Sequence, residues 1–313
     1  MLEFIGKRIG AGLSLLIVIP SLTFFLMYAN SGSNAARQIL GENATAEQIA
    51  AKSAELGVDR PLVTQFLDYV ARLFTGDFGR SWFSAEPVGS LLTGRLTVTV
   101  TLAIGAILLS TLVAFALGVT AALRRGWLDG ALQVLGIVGF AVPGFWLALV
   151  LVSTFALKLQ LFPATGFVPF ATSPTEWLRS ITLPILALSV GAVASVAQQV
   201  RGAVIDVLEQ DYVRTLNARG LPTWRLLVHV LRNASVPALI VVSLTFIGVL
   251  SGAVFIERIF ALPGIGLVAI NATVNGDVPV VMGVVIVTTI FVVVINLLLD
   301  IVIGVLNPKV RLS

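Results

Sequence analysis

Six stretches of the chain run uncharged for about the length of a bilayer crossing: 9–28, 96–123, 131–157, 181–200, 237–256 and 278–299. About 20 residues at a rise of 1.5 Å each cross a hydrocarbon core ~30 Å thick. None of the six alternates apolar and polar positions as a barrel strand would, so helices are expected, their backbone groups satisfied within each segment. The pattern predicts an all-α polytopic membrane protein with about six transmembrane helices in a single domain over 1–313. Pro20, Pro143 and Pro184 fall inside spans, and Pro143–Gly144 predicts a kink in the third. The first stretch follows Lys7 and Arg8 but exceeds the 7–15 apolar residues of a signal-peptide core. It is therefore read as a retained first helix. The pairs Ala187/Gly191 and Gly248/Gly252 would let helices approach closely.

Two segments between the spans carry their own patterns. In 30–95, Thr45 and Gln48 fit a capping box, and Gly57 closes the short helix that follows. Pro61 is placed as a first helical residue, ahead of an apolar stripe of Leu62, Phe66, Tyr69, Val70, Leu73 and Phe74. That helix could lie on a membrane surface or pack on a partner. Segment 201–236 is far too long for a turn. Val204 through Arg219 has helical composition, Gly220 suits a left-handed cap, and Pro222 opens another helix. A helix, a sharp turn and a second helix are expected to protrude from the membrane.

Composition sharpens this picture. Of 313 residues 57% are hydrophobic and 12% charged, against roughly 25% charged in soluble domains. Such a chain needs lipid to cover it. The net charge of +4 reads as basic cytoplasmic loops rather than nucleic-acid binding. With the N-terminus inside, 11 of the 20 basic residues fall on the cytoplasmic side, including Arg124, Arg125, Arg201, Arg214, Arg219, Arg225, Arg232, Lys309 and Arg311. Six of the other nine lie in 30–95, and long translocated loops escape the rule. Both termini are therefore expected in the cytoplasm, 30–95 outside and 201–236 inside.

Cysteine is absent and His229 is the single histidine, so thiolate chemistry and a histidine metal cluster within one copy are excluded. No phosphate-cradling Gly-x-x-x-x-Gly-Lys-Ser/Thr loop, zinc-protease pair or nucleophile elbow occurs. The six spans hold no Asp, Glu, Lys, Arg or His, which counts against a self-driven carrier needing buried ionisable groups. Glu257, Arg258 and Asp300 are read as boundary residues within reach of an interface.

The segment DYVRTLNARGLP, Asp211–Pro222, resembles the cytoplasmic coupling loop of ABC-importer permeases. The specific likeness is to the B-type subunit of the dipeptide/oligopeptide (Opp/Dpp) branch. Tyr212, Val213, Arg214, Thr215, Ala218, Gly220 and Leu221 match the branch's pattern; Leu216 and Arg219 stand where it has Ala and Lys. The run His229–Pro237 looks like the approach to the next span, and Leu56–Trp82 like the branch's first outer loop. Phe255–Gly266, with Glu257, Phe260, Pro263, Gly264 and Gly266, resembles an extracytoplasmic family segment. Asn296–Leu312 resembles the closing one. The likeness covers nearly the whole chain, although Asn30–Asn34 reads NSGSN where the family has Pro-Gly-Asp-Pro.

The resemblance implies a type I ABC importer permease of the cell (inner or plasma) membrane. It would import short peptides or a related small solute and would not itself be an enzyme. Its implied partners are a second homologous permease, two cytoplasmic ATP-binding subunits and an extracytoplasmic substrate-binding protein. It would hold no cofactor, ATP being bound by the partner subunits. Asp211, Tyr212, Val213, Arg214, Thr215, Ala218, Arg219, Gly220 and Leu221 would dock on an ATPase. Nickel, glycosides or another non-peptide solute remain open as cargo. Outside the class stand a lone channel or carrier, which would transport without an ATPase, and a membrane-embedded enzyme, for which the spans offer only serines, threonines and amides.

Overall fold

The computed structural model describes residues 2–124 and 126–306. Arg125, Lys309, Arg311 and the end of the closing segment lie outside them. Eleven α-helices follow in order among the described residues: α1 Leu2–Leu40, α2 Ala46–Leu56, α3 Leu62–Phe74, α4 Val88–Leu123, α5 Trp127–Ala141, α6 Gly144–Leu151, α7 Pro174–Leu208, α8 Asp211–Ala218, α9 Thr223–Ile259, α10 Ile265–Val274 and α11 Val278–Leu306. A π-helical turn, Val152–Lys158, continues α6. Five helices are long and apolar enough to cross a membrane, and six spans result if α5 and α6 count as one bent pair.

That pair corrects the third expected span. Instead of one kinked helix, 131–157 forms two helices bent by 96°. Proline disfavours helical geometry in the residue before it, and Val142 is extended (φ −85°, ψ 116°). Helix ends also lie further out than the apolar stretches. Helix α1 runs to Leu40, α7 to Leu208, and α9 starts at Thr223, because charged residues continue a helix freely once it has left the apolar layer. The expected helix Val204–Arg219 is broken: Gln210 is extended (φ −67°, ψ 143°) and opens α8 afresh. The break lets Val213 turn inward, where it is buried.

The chain divides into two compact units. One comprises 6–98 and 264–294, that is most of α1, α2, α3, the start of α4, α10 and most of α11. Thr45 caps α2 with the expected box and Gly57 ends it at φ +70°. Pro61 stands as the N-cap of α3, one residue before the expected position. Phe24, Tyr69, Val278, Met282 and Ile286 form a core, with Phe66, Leu73 and Trp82 packed on it. Helix α3 thus rests on α1 of its own chain. Its stripe is narrower than expected, since Leu62 and Phe74 are exposed. The turn before α4 is pinned by Asp277, whose carboxylate accepts from Ser81 Oγ (2.5 Å) and the Trp82 N–H (3.1 Å).

The other unit comprises 99–263 with the start of α1, up to Ile5, and the end of α11. Here α7 packs along α9, with α5 and α6 against α7. Helices α4 and α7 touch backbone to side chain at Gly118, where a Cβ would lie 2.7 Å from the Ala197 carbonyl oxygen. No larger residue fits there without moving a helix.

Candidate functional site

Helix α8 and its C-terminal turn form the first element of the site. The Gly220 N–H donates to the Asn217 carbonyl (2.9 Å) and the Leu221 N–H to that of Leu216 (3.3 Å). These two bonds define a Schellman end, which requires a left-handed residue after the cap, and Gly220 has φ +73°. Pro222 is then the N-cap of α9. Val213 holds α8 on its buried side, and Asn233 Nδ2 of α9 donates to Tyr212 Oη (3.1 Å). The remaining face is open. Asp211, Arg214, Thr215, Ala218, Arg219 and Gly220 are exposed and Leu221 half-buried; Arg214 meets Asp211 at 3.6 Å. Trp224 is exposed, with Arg225 stacked 5.2 Å from its ring. The coupling-loop residues expected from sequence are gathered here into one short, outward-facing helix and its cap, with Arg214 paired to Asp211 and Arg219 exposed at the cap.

The segment around Glu257 has a different character. Glu257, in the last turn of α9, is fully buried and accepts a hydrogen bond from Thr99 Oγ1 at 2.5 Å. The end of α9 is a second Schellman turn. The Leu262 N–H donates to the Glu257 carbonyl (2.8 Å) and that of Ala261 to Arg258 (3.4 Å). Ala261, at φ +48°, occupies the left-handed place, where an alanine costs about 1–2 kcal/mol. Phe260 is buried, and its carbonyl accepts from the Gly166 N–H (2.9 Å). Pro263 is exposed, Gly264 caps α10, and Gly266 is buried in it. These residues build the end of α9 and the start of α10.

Sequence reasoning missed a third feature. A cavity of about 510 Å³ opens at the α5–α6 elbow, between Phe140 and Pro143, Gly191 and Ser195 of α7, and Thr245 and Gly252 of α9. Of its lining side chains only Ser195 and Thr245 are polar. Along α7 from it, Arg201 Nη2 donates to Asp129 Oδ2 (2.6 Å) and Arg201 Nε to Oδ1. The small pairs Ala187/Gly191 and Gly248/Gly252 were a legible trace of the cavity, since all four line it. Among the described residues no cluster of His, Asp or Glu could hold a metal ion.

Comparison with known proteins places this architecture. The family described as binding-protein-dependent transport system inner membrane component matches residues 114–312. The N-terminal family of the same membrane component matches 1–103. A Brucella abortus protein named for a peptide transport system permease is 37% identical over 313 residues, 99% of each chain. The dipeptide transport system permease protein DppB of Bacillus subtilis is 35% identical over 316 residues, covering 100% of this chain and 99% of its own. The glutathione transport system permease protein GsiC of Salmonella choleraesuis is 32% identical over 99% of each.

Proposed function

Because the chain belongs to the family of binding-protein-dependent transport system inner membrane components, we propose that it is a permease subunit of an ATP-driven importer of short peptides. The relatives' names support that cargo. The observation that carries the reading is α8, a short helix held by one buried side and presenting Arg214 and Arg219 outward. It stands between two helices long enough to cross the membrane. Such a helix fits a groove on a cytoplasmic ATPase, with both termini and 201–236 inside and 30–95 outside. A second homologous permease completes the path, and a binding protein delivers cargo from outside. Docking does work only if its free energy differs between the ATPase's open and closed states.

The test uses the assembled transporter in proteoliposomes. A Cβ at Gly220 would meet nothing within 4 Å, so Gly220→Val acts through backbone strain alone, roughly 1–3 kcal/mol. That is too little to unfold the bundle and enough to displace a docked helix. Gly220→Val is expected to insert normally, to co-purify less ATPase and to lose uptake-coupled hydrolysis. Gly220→Asn, which tolerates the left-handed region, keeps most of both. Coupled uptake at the unaltered rate in the valine variant would remove α8 from this role.

A further inference from the structure

Below the elbow cavity, toward α8, lies a second opening of about 380 Å³ between α5 and α7, lined by Leu132, Gln133, Ile137, Gln198 and Arg201. Ser195, Gln198 and Arg201 follow one another at intervals of three on α7. They form a polar line about 9 Å long at 1.5 Å per residue, running from the first cavity into the second. Gln133 is exposed and Gln198 half-exposed on a membrane helix pair. Among the described residues neither amide makes a hydrogen bond within the chain. Lipid offers an amide no partner, so polar side chains on spanning helices face water, protein or a ligand. Two open amides beside a cavity therefore mark this flank of α5 and α7 as one that does not meet lipid.

Two details shape what the groove accepts. The Gln198 amide nitrogen lies 1.7 Å from where a Cβ of Gly136 would stand, so the glycine is the notch that admits this side chain beside Gln133. Arg201 is neutralised by its two bonds to Asp129. The groove consequently offers donors and acceptors with little net charge. An unpaired arginine there would hold anionic cargo; the ion pair removes that bias.

We infer that Gln133, Gln198 and Ser195 form a transit site for the main-chain amides of a short peptide, read without regard to its side chains. Each glutamine presents one acceptor and two donors, matching a peptide group's N–H and C=O. This inference rests on the peptide-importer reading above and names its path within this chain.

The experiment uses the reconstituted complete transporter with trialanine as cargo; this chain has no cysteine of its own, and reaction is read on this chain. Gln133→Cys and Gln198→Cys are expected to react with a charged thiol reagent, and trialanine under turnover to slow that reaction. Leu135→Cys, on the apolar flank of α5, stays inert. The double variant Gln133→Leu/Gln198→Leu is expected to take up trialanine roughly tenfold more slowly, two hydrogen bonds being lost. Inert cysteines at both glutamine positions would mean that this flank meets lipid or protein rather than a path for cargo, and would overturn the site. So would uptake by the double variant at the unaltered rate. Reactive cysteines with no trialanine uptake by the unaltered assembly would instead overturn the peptide reading, and with it the occupant named here.

Discussion

At the scale of single residues, most buried polar side chains among the described residues find a hydrogen-bond partner, Tyr69 Oη and Asn296 Oδ1 being the exceptions. Glu257 is the costliest of the buried groups, a carboxyl group with no exposure inside a membrane-spanning helix. Thr99 Oγ1 donates to it from α4, so the contact ties the end of α9 to a neighbouring helix. Thr99→Val keeps the shape and removes the donor. Leaving a buried acceptor short of a partner costs about 1–3 kcal/mol, and the detergent-solubilised protein should unfold at a correspondingly lower temperature. Glu257→Gln retains an oxygen for the hydroxyl and should lose less. Unchanged thermal unfolding of Thr99→Val would show that the bond contributes nothing to stability.

At the scale of elements, α3 illustrates docking through aromatic contact. Phe24 sits against Phe66 and Tyr69, with ring centroids 5.2 and 5.9 Å apart. The Tyr69 hydroxyl is buried and unbonded among the described residues. Burial first, then the neighbouring Tyr28, pushes its phenol above the ordinary 10.0, against the pull of Arg72. The unfolded chain therefore releases this proton first as pH rises. The stability tied to neutral Tyr69 is complete below about pH 10 and declines above it. Tyr69→Phe should remove this residue's share of the alkaline decline and should leave stability at neutral pH equal or higher, since an unpartnered buried hydroxyl is removed. A loss of more than about 1 kcal/mol on that substitution would reveal a partner for the hydroxyl. Elements of this kind divide sharply in legibility. The caps at Thr45, Gly57, Gly220 and Pro222 were readable because each is a contract among residues within one turn. The stripe of α3 was readable in type but not in width, because its partner, α1, is distant in sequence. The 96° elbow at Val142–Pro143 and the burial of Glu257 were not readable. A proline signals a departure from helix without its angle, and a carboxylate at the end of an apolar run does not announce a threonine 158 positions away. The Asp129–Arg201 pair was hidden for the same reason, and because the apolar stretches place both residues outside the spans.

For the whole molecule, the proposed orientation is open to direct measurement. Ala51 of α2 and Thr223 at the start of α9 are both exposed, and the chain has no cysteine to interfere. An impermeant thiol reagent added to intact cells should label Ala51→Cys and spare Thr223→Cys, with both labelled after lysis. The opposite pattern would invert the molecule and place α8 on the wrong side for an ATPase. The lengths of its parts also bear on how movement is passed along. Helix α9 runs for 37 residues from the turn after α8 to Ile259, two residues past the buried Glu257, about 55 Å at the standard rise. Only one rung is missing from its ladder, at Pro237, where the ring displaces a backbone donor. Mechanically, α9 is a stiff rod with a single soft joint. A thrust delivered at its Thr223 end would pass along this rod, with Pro237 as its one point of give. The α5–α6 elbow, having no continuous ladder across it, yields instead. If α8 docks as proposed, motion imposed at the Thr223 end would be conveyed by the rod and accommodated at the elbow, beside the cavity.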